Sequence, residues 1–378
     1  MTVRIAVPRE TVEGENRVAL VPAVANQLAA RGLEIRMQPG AGSAAYFADT
    51  EYHDVRMVEE LDDLYGEADV MLKVQPPSPE EIGRLRPGTV LVGFLDPFAD
   101  PDRITRLRDQ GVTAFAIELL PRVSRAQAMD ALSSQANIAG YKAALLAADL
   151  APRFFPMLTT AAGTVRPAKV LVIGAGVAGL QAIATAHRLG AVVSAYDVRA
   201  ETREQVESLG ARFLAKENMA AAAEGGYARE LTAEEKREEQ EMLSEHIRNM
   251  DVVISTAAIP GKPAPKIVRE ADVTGMHPGS VILDLAAETG GNCECTRLGE
   301  TVTHEGVLIH GPRNVPSRLP VHASEMYARN LANFLDFLVT DGHWDPHWED
   351  EIVAHTLVTH EGAIVSDPVR ERVEGVSS

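Results

Sequence analysis

The apolar positions along the chain fall into short runs separated by amphipathic stretches, and the alternation is regular enough to predict elements. Val3–Val7 reads as a strand, Val21–Ala30 as a helix ending at Arg31-Gly32, and Glu34–Met37 as a strand closed by Pro39-Gly40. Val70–Val74 and Thr89–Leu95 are continuous apolar runs of the length of buried strands, each followed by a Pro-containing loop. Between them, Ser78-Pro79-Glu80-Glu81 has the chemistry of a helix start. Ser78 suits the N-cap, Pro79 the first helical position, and Glu81 can close a capping box. Strands that alternate with helices in this way predict a mostly parallel sheet covered by helices.

A long helix rich in Ala, Leu and Gln is predicted over Ser124–Leu150, ending near Pro152, with a loop over Pro156–Pro167. A second alternating unit then opens with Lys169–Ile173 and adds strands at Val252–Ile254 and Val281–Leu285. The charged stretch Glu224–Arg248 reads mainly as the solvated face of a helix. After Pro316 and Pro320, Ser324–Val339 has a helical apolar pattern and returns the chain to the first domain. The predicted class is α/β, with two Rossmann-like domains of mostly parallel sheet. An outer domain of residues 1–135 and 320–378 is interrupted by a dinucleotide-binding domain of residues 136–319.

One motif carries chemistry. Val170–Ile173 runs into Gly174-Ala175-Gly176-Val177-Ala178-Gly179 and then a helix over Leu180–Leu189. Gly174 permits the tight turn, Gly176 lets a pyrophosphate approach the backbone, and Gly179 allows the helix to pack on the strand. Amides at the helix N-terminus stabilise the phosphates. A second strand, Ala191–Tyr196, leads to Asp197 at the interval of ~20 residues that a ribose-binding carboxylate requires. Asp197 favours NAD(H), because it accepts from a 2′-hydroxyl and repels a 2′-phosphate. Arg199 pulls the other way, toward the phosphate of NADP, unless it lies over the adenine or reaches solvent; the balance favours NAD(H).

Composition narrows the partners. The 378 residues carry a net charge of −18, which argues against nucleic acid and anionic membrane surfaces as direct partners. The apolar stretch Val170–Ala186 is broken by three glycines and is better explained by a buried strand, turn and helix than by a membrane span. The start of the chain lacks the pattern of a secretory signal, so a cytoplasmic protein is expected. Cys293 and Cys295 are too close for an unstrained disulfide, and only His304 lies near them, so two reduced thiols and no metal are expected.

The order of these segments resembles the alanine dehydrogenase/transhydrogenase group, and within it the alpha subunits of NAD(P) transhydrogenase, over nearly the whole chain. Val7-Pro8-Arg9-Glu10 through Glu15-Asn16-Arg17-Val18-Ala19-Leu20-Val21-Pro22 looks like the group's N-terminal signature. Arg122 through Tyr141, Gly225-Gly226-Tyr227-Ala228, Ala258–Pro265 and the tail Thr359–Val365 resemble the transhydrogenase branch more specifically. The resemblance implies that Arg122, Val123, Ser124, Gln127, Asp130 and Ser133 hold and orient the nicotinamide end. It implies that Gly226 and Tyr227 belong to a loop closing over nucleotide, and that Gln240 and Ala258 line the site with Ala175, Val177 and Val198. It further implies a homodimer at the inner membrane's cytoplasmic side. Hydride would pass from NADH here to NADP⁺ on another subunit, coupled to proton passage through membrane-spanning subunits on separate chains.

Two rival readings are distinguishable. An amino-acid dehydrogenase needs a cationic clamp and a general acid/base. Arg17 and Lys73 sit where the clamp and a catalytic lysine belong, but the histidine position reads Gly93-Phe94-Leu95-Asp96-Pro97, and Glu288 stands for the later aspartate. Hydride transfer between two nicotinamide rings needs no such pair, so Gln127, Asp130 and Ser133 are expected to orient and not to move protons. A non-enzymatic NAD-sensing module explains the glycine motif but not the Arg122–Ser133 segment.

Overall fold

The computed structural model describes residues 2–214, 232–259 and 261–375. The chain divides into two compact units, residues 1–135 with 317–378, and residues 136–316.

The first unit is built on an eight-stranded sheet. Its order is Ala363–Ile364, Leu357–His360, Thr113–Ala116, Val90–Gly93, Val70–Leu72, Arg4–Val7, Glu34–Met37 and Val55–Met57. The six strands from the N-terminal portion of the chain are mutually parallel; Leu357–His360 runs antiparallel to Thr113–Ala116 and pairs back with Ala363–Ile364. Winding starts at the central Arg4–Val7, proceeds outward one way, and restarts at Val70–Leu72 in the other direction. The reversal makes a topological switch point beyond Val7 and Leu72. Strands buried on both faces explain the unbroken apolar runs, and the core is split into clusters on either side of the sheet. The capping box at Ser78 forms as the sequence predicts: Glu81 N donates to Ser78 Oγ at 3.2 Å and Ser78 N to Glu81 Oε2 at 2.7 Å. Trp348, in the tail, packs on its own unit, stacked on Phe115 and 4.5 Å from His360.

The second unit repeats the plan. Its seven-stranded sheet runs Arg212–Phe213, Val192–Tyr196, Lys169–Ile173, Val252–Ser255, Val281–Asp284, Val307–His310 and Thr301–His304, all parallel except the last hairpin. The switch point here lies between Ile173 and Ser255. Helix Val177–Arg188 buries Ala182, Ile183 and Ala186 in a core shared with Val170, Val172 and Ile254.

Two elements differ from the sequence expectation. The predicted helix over Ser124–Leu150 is two elements, a 3-10 segment at Ser124–Met129 and an α-helix at Ala131–Leu150. Asp130 makes the break: its Oδ1 accepts from Ser133 N at 2.9 Å and its Oδ2 from Ser133 Oγ at 2.6 Å, so it caps the second helix and departs from helical geometry. The loop expected between Pro156 and Pro167 contains a two-stranded hairpin, Leu158–Thr160 with Gly163–Val165. Its strands are only three residues long and mostly exposed, so no run of buried positions marks them.

Candidate functional site

At the switch point of the second unit the chain leaves strand Lys169–Ile173 through Gly174, whose φ of +93° is strained for a residue with a side chain. A Cβ on Gly179 would sit 1.8 Å from Gly174 O, so only glycine lets helix Val177–Arg188 come this close to the turn. Gly176 differs: it is the N-cap of that helix, and a Cβ there would meet nothing within 4 Å. Two glycines are thus needed by the protein's own packing, and the third keeps backbone open at a helix N-terminus, where an anion is favoured. A dinucleotide pyrophosphate fits this cradle.

Asp197 follows strand Val192–Tyr196. Its Oδ2 accepts from Ala175 N at 2.6 Å, tying the carboxylate to the glycine turn. Arg199 reaches solvent with half of its side chain while pairing with Asp197. It folds back on Asp197, donating from its amide at 2.8 Å, from Nε at 3.0 Å and from Nη2 at 3.0 Å. Burial works to raise the Asp197 carboxyl, but the Arg199 guanidinium and the Arg199 and Ala175 amides hold it below the usual carboxylate range. The carboxylate is therefore ionised and already saturated with donors. A further donor reaches it only by displacing Arg199, whose side chain is half exposed. Val198 between them is 78% exposed and Val177 41%, which leaves both accessible beside the turn.

Of the remaining positions expected to line a nucleotide, Ala258 is exposed on the segment after strand Val252–Ser255. Gln240 lies on helix Ala233–Arg248 and donates from Nε2 to Ile267 O at 3.1 Å, which makes it a brace for that loop. Gly226 and Tyr227 lie outside the described residues. Sequence reasoning missed the groups that shape the loop facing Gly174. Thr256 Oγ1 donates to Gly174 O at 3.0 Å, and the fully buried Asn292 accepts from Ala257 N at 3.0 Å while donating to Ala257 O at 2.8 Å and Pro265 O at 2.9 Å. Asp284, also fully buried, accepts from Ser255 Oγ, Ala286 N, Cys293 N and Thr296 Oγ1. A carboxylate at a strand end followed by Gly290-Gly291-Asn292 was the available signal, but the pattern alone does not separate a brace from a ligand.

In the first unit, the segment from Arg122 to Ser133 is held from behind. Arg125 pairs with Asp350 at 2.9 Å and Glu351 at 3.0 Å, and Ala128 O accepts from Asn330 Nδ2 at 2.9 Å and Asn333 Nδ2 at 3.0 Å. Arg122, Ser124 and Gln127 remain exposed, and Val123 and Ser133 are half-buried. The structure gives Asp130 and Ser133 a shared structural duty as the cap described above.

The dehydrogenase-like positions are already used internally. Arg17 is 5% exposed; its guanidinium pairs with Glu15 at 2.6 Å and donates to Gln135 Oε1 at 2.9 Å. Lys73, 2% exposed, donates to Glu81 Oε1 at 2.7 Å and lies 3.3 Å from Glu10 Oε2. Burial raises Glu10 above its ordinary value despite Lys73. Burial would do the same to Glu81, but Lys73, Ser78 N and Tyr65 hold it below. Asp96, in place of a histidine, has φ +48°, and the Leu95 and Asp96 amides donate to Glu118 Oε1 at 2.8 and 2.6 Å. Glu288 is exposed and accepts from Asn314 N.

Comparison with known proteins agrees with this geometry. The chain matches two family descriptions, alanine dehydrogenase/PNT N-terminal domain over residues 6–139 and C-terminal domain over residues 143–367. It is 43% identical over 383 residues to NAD(P) transhydrogenase subunit alpha of Cereibacter sphaeroides, covering 99% of this chain and 73% of that one. A crystal structure of transhydrogenase from Sinorhizobium meliloti superposes with a TM-score of 0.85 at 42% identity, covering 97% of this chain and 99% of the other. An L-alanine dehydrogenase structure superposes at 0.82 with 24% identity over 99% and 100%, which speaks for the fold alone.

Proposed function

The chain belongs to the alanine dehydrogenase/PNT family, and on that premise we propose that it is the NAD(H)-binding subunit of a proton-translocating transhydrogenase. It passes hydride between NADH bound here and NADP⁺ bound on a partner subunit. The observation that carries this reading over a dehydrogenase is the internal neutralisation of Arg17 and Lys73 together with Asp96 in the histidine position. Arg17 and Lys73 are already paired with the protein's own carboxylates and not held ready for a substrate's, and the loop at Asp96 carries no imidazole to move a proton to a carbonyl.

When bound, the dinucleotide supplies the transferable hydride at its nicotinamide ring. Gly176 and the first helical turn hold its pyrophosphate, and Asp197 takes the ribose once Arg199 swings outward. Arg122, Gln127, Asp130 and Ser133 fix the orientation of the nicotinamide end, and Gly226 and Tyr227 cover the nucleotide. Because the chemistry needs alignment and exclusion of water, no residue is assigned as general acid or base.

No helix among the described residues is long and apolar enough to cross a membrane. The reading assigns the membrane-spanning and NADP(H)-binding parts to partner subunits, with this chain a homodimer held peripherally at the inner membrane. The test mixes the purified chain with NADH, an oxidised NAD analogue and a separately made NADP(H)-binding domain. Partner-dependent hydride exchange is expected. NADH oxidation by pyruvate plus ammonia with no partner present overturns the proposal in favour of the dehydrogenase.

A further inference from the structure

We propose that Glu270, Cys295 and His304 form a binding site for a divalent cation of the zinc class, with a fourth position left to water. The sequence places His304 near Cys295 but offers no second ligand pair, the ground on which no metal is expected; Glu270, 25 residues before Cys295, joins them only in the fold. In the fold, one carboxylate oxygen, the Cys295 Sγ and one His304 ring nitrogen all lie within 4.8 Å of one another. Theirs is the one such group among the described residues. A thiolate, an imidazole and a carboxylate are the donor set that zinc takes, and three protein ligands with an open position is a recurrent zinc arrangement.

The donors come from three elements that the backbone already fixes. Glu270 begins helix Glu270–Thr274, and its amide donates to Glu294 Oε2 at 2.7 Å, beside Cys295. Val268 bridges Cys293, and Glu294 N donates to Val268 O at 2.9 Å, so the Cys295 segment is stitched to the segment preceding the helix. His304 ends strand Thr301–His304 of the edge hairpin, whose tight turn is made by Glu305 and Gly306, both at positive φ. His304 Nε2 faces the cluster, 3.6 Å from a Glu270 oxygen and 3.3 Å from Thr274 Oγ1.

Zn–N and Zn–S distances of ~2.0–2.3 Å place donors about 3.4–3.6 Å apart in a tetrahedral site. The Glu270–His304 pair, at 3.6 Å, already has this spacing, and with all three donors within 4.8 Å of one another, side-chain rotation of the exposed Glu270 and half-buried Cys295 and His304 closes the rest. His304 must exchange its Thr274 contact for the metal. The bound ion would clasp the edge hairpin to helix Glu270–Thr274 and so stabilise the outer border of the second sheet.

The test uses the full chain stripped of metal and titrated with Co²⁺ and Zn²⁺. One Co²⁺ per chain is expected, with a thiolate-to-cobalt charge-transfer band, and saturating Zn²⁺ raises the thermal midpoint. Cys295→Ser abolishes the band, and both Cys295→Ser and His304→Gln weaken Zn²⁺ binding by at least about tenfold. Should either variant fold poorly by circular dichroism, the wild-type chain still decides: Zn²⁺ protects Cys295 from alkylation, read by peptide mass. Absence of the band, its survival in Cys295→Ser, unchanged affinity in His304→Gln, or alkylation of Cys295 at the same rate with Zn²⁺ overturns the site.

Discussion

The two units wind their sheets in the same way and finish their switch points oppositely. Beyond Val7 and Leu72 in the first unit, the space is filled by the protein's own charges: Lys73 is clamped by Glu10 and Glu81, and Tyr327 Oη donates to Lys73 O at 2.7 Å. Beyond Ile173 and Ser255 in the second, glycines keep side chains away and leave a helix N-terminus open. One topology can thus present a binding crevice or close it with buried ion pairs. The residues just past the first strand, Pro8-Arg9-Glu10 against Gly174-Ala175-Gly176, decide which.

The comparison breaks in both stability and binding at Gly179. With its Cβ 1.8 Å from Gly174 O, Gly179→Ala must push the helix off the sheet, and we expect a loss of roughly 3 kcal/mol in urea unfolding together with NADH binding. Gly176→Ala, where nothing lies within 4 Å, should keep stability within about 0.5 kcal/mol yet weaken NADH at least about tenfold by fluorescence titration. Equal stability losses in the two variants would mean that Gly176 is also a packing residue and not part of an anion cradle.

At the closed switch point the corresponding break is Lys73→Met. It leaves Glu10 and Glu81 facing each other in a buried site, so a loss of about 3–5 kcal/mol is expected by urea unfolding. NADH affinity of the chain that remains folded should be unchanged, because the cradle belongs to the other unit. A drop in affinity without a drop in stability would give Lys73 a role in ligand binding and revive the dehydrogenase reading.

Why one switch point is legible in the sequence and the other is not follows from their chemistry. Glycine has a specific backbone use, so Gly174, Gly176 and Gly179 with Asp197 announce themselves at fixed spacing. Buried parallel strands announce themselves as well, because Val170–Ile173 and Val252–Ile254 have no polar face to alternate with. Ion pairs carry no such spacing: Glu10, Lys73 and Glu81 meet only in the folded sheet. Short exposed strands such as Leu158–Thr160 are equally silent. Asp130 is marked as a site residue by family resemblance alone, while its cap on the long helix, with Ser133 at the third position, is a local pattern that the prediction of one continuous helix overlooks.

A smaller effect sharpens the comparison through pH. Glu118 supports the Asp96 turn, and burial pushes its carboxyl up to about 7, with Oε2 buried and without a hydrogen-bond partner. A raised carboxyl is protonated in the folded chain where the unfolded one is ionised. Its contribution is therefore full below about pH 4.5 and is lost as pH rises through 7. Glu118→Gln stays neutral throughout, so the fall in unfolding free energy between pH 5 and pH 8, read from urea titrations, should shrink by roughly 2 kcal/mol. An unchanged pH profile would show that Glu118 is ionised in the folded protein.

A small change in stability is also expected at Asp130, where the structural and proposed functional roles overlap. Asp130→Ala removes a helix cap and should cost about 1 kcal/mol, whatever its role toward nucleotide. Asp130→Asn keeps a cap of nearly equal strength, so its stability should lie within about 0.5 kcal/mol of the native chain. What remains in that variant is the missing charge. If Asp130 orients the nicotinamide end through its carboxylate, hydride exchange with the NADP(H)-binding domain falls at least about tenfold in Asp130→Asn while thermal stability holds. Exchange at the native rate would reduce Asp130 to the residue that starts the long helix, leaving orientation to Arg122 and Gln127, which stay exposed with side chains uncommitted to any cap.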